Sequence, residues 1–461
     1  MAWHNETVNM STRVTTAAAV MKDGDEETEE APAALPTLAD LRIAVIGMGY
    51  VGLPLAVAFA ERWSTVGFDI SAARVAALRD GLDATGEVDG RALTAAKRLR
   101  FETDPNQIAG CNVYVVAVPT PVDRHHQPDL QPLIDASRTI GTLIGRGDVV
   151  IYESTVYPGA TEEDCLPVIE AVSGLRLNRD FHAGYSPERI NPGDKTRPLT
   201  RIVKVTSGST PEAAEFVDDL YGTIIEAGTF KAASIRVAEA AKVIENTQRD
   251  VGIALINELS MVFSHMGIDT AEVLDAAATK WNFNRLSPGL VGGHCIGVDP
   301  YYLLHRSMAA GYIPDIIRRA REINDGMARH AARLMVRTMI LRGQPVLDAR
   351  VLMLGLTFKE NCPDLRNTKV VDLVAALEAF GLRIDVHDPL ADRAEAEAHA
   401  GVSLLAEMPD AGADYDGVVL AVPHAAYLSE GPERLRALMT PRGTFFDLRA
   451  AFPRGESDLR L

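Results

Sequence analysis

Leu41-Arg42-Ile43-Ala44-Val45-Ile46 runs straight into Gly47-Met48-Gly49-Tyr50-Val51-Gly52, and Leu53 to Glu61 then continues in a helical pattern. A short apolar run ended by glycine and followed by a helix is the opening of a dinucleotide fold. Gly47 permits the tight turn, Gly49 lets the backbone approach a pyrophosphate, and Gly52 lets helix and strand pack closely. Tyr50 and Val51 lie between them, at the helix N-terminus that would meet the phosphate charge.

The next apolar run, Thr65 to Asp69, ends in an acid 22 residues after Gly47. A carboxylate there accepts hydrogen bonds from a ribose 2′-hydroxyl and repels a 2′-phosphate, so NAD is favoured over NADP. Arg74 is a candidate neighbour of the adenosine half. Further runs at Val113 to Val118 and Val149 to Tyr152 are followed by Thr120 and Thr155. Both threonines would lie at strand C-termini, the ligand edge of such a sheet. Strands alternating with helices predict a parallel sheet covered on both faces.

From Ser234 to Met266 the period changes. Ala240, Ile244, Thr247, Val251, Leu255, Leu259, Val262 and Met266 recur every three or four residues, as on one stripe of a long helix. Such a helix joins domains and supplies a homodimer surface; the alternative is a helix wholly inside one core. A second α/β pattern starts near Ala349, with strands at Val351 to Leu356 and Leu382 to Asp388 around a helix at Val370 to Phe380. Val418 to Pro423 echoes Val115 to Pro119, as in a degenerate copy of the first domain. The expected fold is α/β, with two Rossmann-like doubly wound domains joined by a long central helix and a helical middle. The expected divisions are a disordered leader at 1–40, an NAD-binding domain at 41–233, a helical central domain at 234–335 and a C-terminal Rossmann-like domain at 336–461. The leader reading rests on the acidic run Asp23 to Glu30 and the Ala/Pro-rich Ala31 to Pro36.

A formal net charge of −17 over 461 residues disfavours a nucleic-acid partner. No apolar run has the length of about 18 residues that a membrane helix needs. Cys111, Cys165, Cys295 and Cys362 form no C-x-x-C pair, and a reducing cytoplasm suits them. No partner pair has metal-ligand spacing, so a zinc site at His294 and Cys295 is disfavoured.

Cys295 differs from the other three. It sits in Gly292-Gly293-His294-Cys295-Ile296-Gly297-Val298-Asp299, between glycines and four residues before an acid. Glycines let backbone approach a ligand, and a thiolate attacks an aldehyde if its pKa is lowered. Lys242 is a candidate source of that field. Lys242 and Asn246 share one helix face and together can stabilise an oxyanion; Glu239 borders that face. Glu188, Arg189 and Asn191 lie on a polar loop with two prolines, suited to positioning a substrate. Lys359 and Arg366 would direct cations into the cleft between the α/β domains. A two-electron hydroxy-acid dehydrogenase and a non-catalytic NAD-sensing protein are the readings outside this chemistry.

Seven segments carry a resemblance: Ile46 to Ala56 (IGMGYVGLPLA), Val118 to Pro121 (VPTP), Glu153 to Gly159 (EST-x-x-PG), Ser186 to Gly193 (SPERINPG), Ala238 to Val251 (AEAAKVIENTQRDV), Ser287 to Leu303 (SPGLVGGHCIGVDPYYL) and Gly355 to Val370 (GLTFKENCPDLRNTKV). Together they resemble the UDP-glucose/UDP-mannose dehydrogenase family of nucleotide-sugar 6-dehydrogenases, most like the Vi-antigen type that act on UDP-N-acetylglucosamine. The resemblance implies that two NAD⁺ are reduced in succession at one site, as a sugar C6 alcohol passes through an aldehyde and a cysteine thioester to an acid. It makes Cys295 the nucleophile, Lys242 and Asn246 oxyanion donors, Asp299 the activator of water, and Thr155 with Glu188 the proton handlers. It places Lys359 on the UDP-sugar and Arg366 near the cofactor, and it implies a dimer through the central helix. The UDP-glucose branch carries Pro-Lys where this chain has Gly297-Val298, a change that would make room for a 2-acetamido group. UDP-N-acetylgalactosamine, UDP-N-acetylmannosamine and UDP-glucose stay open as substrates.

Overall fold

The computed structural model describes residues 31–123, 125–190 and 196–461. Its first sheet contains β1 (Arg42–Ile46), β2 (Ser64–Phe68), β3 (Leu99–Glu102), β4 (Val113–Val116), β5 (Val149–Tyr152) and β6 (His182–Tyr185). The order is β3-β2-β1-β4-β5-β6, every pairing parallel. The chain winds out to β3, returns past β1 and continues to β6, so direction reverses between β1 and β4, where such sheets bind ligands. The unbroken apolar run of β1 follows from its place in the middle. Ile43 and Val45 enter the core on one face, Ala44 and Ile46 the core on the other.

Two strands of this sheet had no apolar run to announce them. β3 is a short outer strand reading Leu-Arg-Phe-Glu, and β6 reads His-Ala-Gly-Tyr. A small two-stranded parallel sheet follows, β7 (Lys204–Thr206) and β8 (Thr229–Lys231).

The second sheet is β9 (Arg350–Leu354), β10 (Arg383–His387), β11 (Tyr415–Leu420) and β12 (Met439–Asp447), in the order β10-β9-β11-β12 and again parallel. It repeats the glycine turn of the first. Gly47 and Gly355 both have positive φ, 95° and 92°. The Met48 N–H donates to Asp69 Oδ2 at 2.8 Å, and the Leu356 N–H donates to Asp388 Oδ2 at 2.6 Å. Here the copy is degenerate: Thr357 and Phe358 follow in place of further glycines, and His424 Nε2 lies 3.1 Å from Asp388 Oδ2.

Four helices place the site. α1 (Gly52–Ala60) follows the first glycine turn, α2 (Ile235–Met266) is 32 residues long, α3 (Asp299–Ala309) begins four residues after Cys295, and α4 (Asp315–Leu341) packs on α2. Ser234 caps α2 by accepting from the Val237 N–H, and Gly267 ends it with φ 70°. The expected boundary at 335/336 falls inside α4, which reaches Leu341 before the second sheet begins.

The α2 stripe is not core, so the reading of a helix wholly inside one core is overturned. Ile244, Leu255, Val262 and Met266 are 56%, 55%, 45% and 63% exposed. Thr247 of the stripe is buried, and the opposite face is buried and mixed, with Ala238, Val243, Ala254 and Ile256 beside the polar Glu239, Lys242, Asn246, Asp250 and Asn257. Buried polar groups need partners, and Asp250 finds Arg321 and Asn324 of α4 at 2.6 and 2.7 Å.

The acidic run of the leader lies outside the described residues, but disorder as far as residue 40 does not hold. The Ala33 N–H donates to the Arg179 carbonyl, Trp63 Nε1 donates to the Leu38 carbonyl, and Leu35 and Leu38 pack on the first domain's core. Among the described residues no helix is long and apolar enough to cross a membrane, and no three His, Cys, Asp or Glu side chains cluster as metal ligands.

Candidate active site

The glycine turn fits a dinucleotide. A Cβ at Gly47 would stand 2.6 Å from the Ala117 carbonyl oxygen, and one at Gly52 would stand 1.8 Å from the Gly47 carbonyl oxygen. Neither position admits a side chain. A Cβ at Gly49 meets nothing within 4 Å, which leaves the open backbone that a pyrophosphate needs. Asp69 accepts from the Met48 and Ser71 N–H groups, at 2.8 Å each, and stands at the end of β2 where a ribose would lie. Arg74 lies against the same turn. Its Nε donates to the Met48 carbonyl and its Nη2 pairs with Asp83, so it braces the turn with its charge compensated. Thr120 and Thr155 follow β4 and β5 and stay half-buried. Among the described residues neither is hydrogen-bonded to the cysteine cluster.

Cys295 lies in the turn that leads into α3, and the buried face of α2 meets that turn. Lys242 Nζ donates to Glu188 Oε2 at 3.1 Å, with both side chains almost fully buried. Asn246 Nδ2 donates to Asp299 Oδ2 at 2.5 Å. Glu188 Oε1 is buried and without a partner among the described residues, an acceptor left open for a hydroxyl or water. Lys242, Asn246, Glu188, Asp299 and Cys295 thus form one group.

The electrostatics of that group are unequal. Burial pushes the Asp299 carboxyl up to about 7, against the pull of Lys242 and the Asn246 N–H. Burial alone would lower Lys242, but Glu188, Asp299 and Cys295 outweigh it and hold the ammonium charged. The thiol corrects an expectation. Burial first, then the Asp299 and Glu188 charges, push Cys295 up to about 12, and Lys242 offsets only part of this. The resting sulfur is a thiol. The other three cysteines are buried.

The second domain closes over this group. Arg366 forms a two-point pair with Asp364, with Nε–Oδ1 at 3.0 Å and Nη2–Oδ2 at 2.5 Å, and its guanidinium lies 5.5 Å from the centre of the Tyr50 ring. The C-terminal domain therefore touches the dinucleotide turn directly. The Lys359 ammonium lies 5.6 Å from the centre of the Phe358 ring beside the same cleft. Gly292 and Gly293 serve this contact. A Cβ at Gly292 would meet the Asn367 carbonyl oxygen at 2.6 Å, and one at Gly293, where φ is 85°, would meet the Phe358 ring at 2.7 Å.

Several expected residues act at one remove. Arg189 donates to the Val203 carbonyl at 2.9 Å and to Glu245 of α2 at 3.1 Å, clipping its loop to the helix. Asn191 lies outside the described residues. Glu239 accepts from the Gly159 and Thr161 N–H groups at 2.5 and 2.9 Å, which fixes the loop after Thr155. Gly297 and Val298 both line a cavity of about 310 Å³ with Gly292, Asp325 and Lys369, and Val298 also packs in the first domain's core. That cavity's lining includes none of Cys295, Lys242 or Asn246.

Two features escaped the sequence. Glu153 is buried with Lys204 and Tyr221 hydrogen-bonded to it, and Lys204 Nζ also donates to the Pro187 carbonyl at 2.9 Å, next to Glu188. Nothing local marks Lys204, which begins an unannounced strand. The other is His294, whose Nδ1 lies 2.9 Å from Cys295 Sγ. Its signal was available: a titratable ring beside the nucleophile, weighed only as a metal ligand.

Comparison with known proteins agrees with this geometry. Residues 41–225, 236–326 and 352–454 match the NAD binding, central and UDP binding domains of the UDP-glucose/GDP-mannose dehydrogenase family, whose second sugar nucleotide is GDP-mannose and not UDP-mannose. The UDP-N-acetyl-D-glucosamine 6-dehydrogenase of Pseudomonas aeruginosa is 56% identical over 92% of this chain and 100% of its own length. That of Salmonella typhi is 49% identical over 92% of this chain and 99% of its own length. The structure of a UDP-D-ManNAc dehydrogenase from Pyrococcus horikoshii superposes with a TM-score of 0.82 at 30% identity, covering 91% of this chain and 98% of that one. With the NAD binding, central and UDP binding domains all matched in one chain, the protein belongs to the UDP-glucose/GDP-mannose dehydrogenase family.

Proposed function

We propose that this chain is an NAD-dependent UDP-N-acetyl-D-glucosamine 6-dehydrogenase that oxidises C6 twice, through a thioester on Cys295. The observation that carries the reading is the meeting of Cys295, Lys242, Asn246, Glu188 and Asp299 between the dinucleotide turn and the second domain. NAD⁺ held at Gly47, Gly49, Tyr50, Val51, Gly52 and Asp69 supplies the hydride acceptor for both oxidations.

The residues divide the remaining work. Glu188, with its open oxygen, and Thr155 take the C6 hydroxyl proton through water. The Cys295 sulfur adds to the resulting aldehyde, and Lys242 and Asn246 hold the oxyanion that forms. When the second hydride departs, that oxyanion collapses to the thioester. Asp299, near its own titration point at about 7, draws a proton from the water that releases the acid. Lys359 and Arg366 bring positive charge to the cleft, toward the diphosphate and the cofactor.

N-acetylglucosamine is favoured over its epimers because the relatives at 56% and 49% identity carry that substrate in their names. A panel of UDP-N-acetylglucosamine, UDP-N-acetylgalactosamine, UDP-N-acetylmannosamine and UDP-glucose with NAD⁺, read as NADH formed per acid, tests it. UDP-N-acetylglucosamine should give the highest kcat/KM and two NADH per acid. One NADH per substrate would mean a two-electron dehydrogenase, and none with any sugar would mean a binding protein. The product is an activated uronic acid, the kind of donor that surface polysaccharide synthesis in the cytoplasm consumes.

The exposed apolar stripe of α2 supports a homodimer, since a row of half-exposed Ile, Leu, Val and Met is costly to leave in water. Ile244→Glu with Leu255→Glu is expected to halve the mass in analytical ultracentrifugation; an unchanged mass would remove α2 from the interface.

A further inference from the structure

His294 touches all three parts of the site. Its ring stacks on Tyr50 of the dinucleotide turn, with centroids 4.6 Å apart and planes 6° from parallel. It leans on Phe358 of the second domain at 5.8 Å. Its Nδ1 lies 2.9 Å from Cys295 Sγ. Its Nε2 is buried, has no hydrogen-bond partner among the described residues, and lies 3.7 Å from Asp364 Oδ2. A neutral imidazole carries its proton on one nitrogen only. With a carboxylate beside Nε2, the favoured tautomer has the proton there and leaves the Nδ1 lone pair on the thiol. Arg366 grips Asp364 at two points and keeps it ionised. Nucleophile, ring and carboxylate thus stand in the order of a nucleophile triad, with the carboxylate acting on Nε2 through its charge at 3.7 Å and not through a hydrogen bond.

We infer that His294 is the base that takes the Cys295 proton as the sulfur attacks, and that Asp364 orients it. The inference rests on the reading that Cys295 attacks a C6 aldehyde. In that step the S–C6 bond forms, the C=O π pair moves onto oxygen beside Lys242, and the thiol proton passes to Nδ1. Once the second hydride has left and water has attacked, the C6–S bond breaks and the proton returns from Nδ1 to sulfur. The hydride goes to the NAD⁺ of the proposed reaction and the water's proton to Asp299, so the thiol proton alone shuttles between sulfur and Nδ1.

The surroundings keep the pair neutral at rest. Burial, then Arg366, Lys242 and Lys359, push His294 down to about 4, with Asp364 opposing them, while Tyr50 and Cys295 face it uncharged. The proton therefore crosses only when sulfur gains its bond to carbon. The nucleophile thus rests as a thiol and is activated in place by the neighbouring ring as it attacks.

The test uses His294→Gln, His294→Ala and Asp364→Asn in the full chain, with two readouts. One is the rate of Cys295 alkylation by iodoacetamide at neutral pH, followed on the peptide that carries it. The other is NADH formed from UDP-N-acetylglucosamine. Both rates should fall about a hundredfold in the two His294 variants and about tenfold in Asp364→Asn. KM should hold, and added imidazole should restore His294→Ala in proportion to its free base. Unchanged alkylation and turnover in His294→Gln would overturn the proposal, as would imidazole without effect. If a His294 variant loses its melting transition, Asp364→Asn decides alone, and wild-type rates there would overturn the relay. A wild-type chain that turns over no UDP-sugar overturns the proposed function but leaves the alkylation comparison intact, so the two failures are distinguishable.

Discussion

Cys295→Ala is expected to stop acid formation, lowering it on the order of 10⁴-fold or more, as removal of a covalent nucleophile does elsewhere. The loss should fall on the second oxidation. Lys242, Asn246 and Glu188 remain, and so does the cofactor turn, so the alcohol can still give up its first hydride. Without sulfur, no tetrahedral oxyanion forms at C6 to release the second. A single turnover with excess enzyme should then yield no more than one NADH per sugar, with aldehyde or its hydrate retained. Two NADH per sugar at wild-type rate would exclude the thioester. Alanine is a mild change here, because the thiol makes its contact to His294 at the edge of a half-buried turn.

The second large effect belongs to Lys242→Met. Methionine nearly matches the lysine stem in volume, so the expected damage is electrostatic. The ammonium stands 3.1 Å from Glu188 Oε2 with both groups buried. Breaking one side of such a pair costs about 3–5 kcal/mol, because the remaining charge has lost its partner. If Lys242 holds the oxyanion as proposed, its removal should also lower kcat by about 10²–10³. The pH dependence distinguishes the two causes. Asp299 sits at about 7 with Lys242 pulling it down, and an unfolded aspartate titrates near about 4. An acid raised by folding holds more protons in the native state, so its ionisation removes stability as pH rises from about 4 to about 7. Without Lys242 that loss deepens and extends to higher pH. The melting-temperature gap between wild type and Lys242→Met should therefore stay constant from pH about 4 to about 7 and widen as pH rises above about 7, and the rising limb of the hydrolytic step should move to higher pH. A gap independent of pH would mean that Lys242 acts through packing alone.

Much of the fold was legible where both faces of a strand are buried. β1, β4 and β5 are unbroken apolar runs because each feeds two cores, and glycines that abut backbone, as Gly47 and Gly52 do, leave a fixed spacing in the chain. β3 and β6 were not legible, since an outer strand of four residues and one reading His-Ala-Gly-Tyr carry no run. The central helix was legible by period but not by which face is inside. Most of its apolar stripe faces out and its buried side carries polar groups among apolar ones, because Lys242, Asn246 and Asp250 answer to Glu188, Asp299 and Arg321, far away in sequence. For the same reason the direction of the Cys295 shift was out of reach. Burial raises it first, and while the lysine that lowers it lies on α2, the two carboxylates that add to the rise converge from a loop and from α3. What the sequence could not show for Arg74 and Arg189 is the pairing that holds each beside its loop, with Asp83 and Glu245.

The most direct measurement is the mass of the peptide carrying Cys295 after an acid quench of the enzyme with UDP-N-acetylglucosamine and NAD⁺ before turnover is complete. A UDP-linked uronyl thioester on that sulfur, absent from Cys295→Ala and gone once the acid is released, is the result predicted. An unmodified Cys295 at every quench time, while two NADH accumulate per sugar, would contradict it.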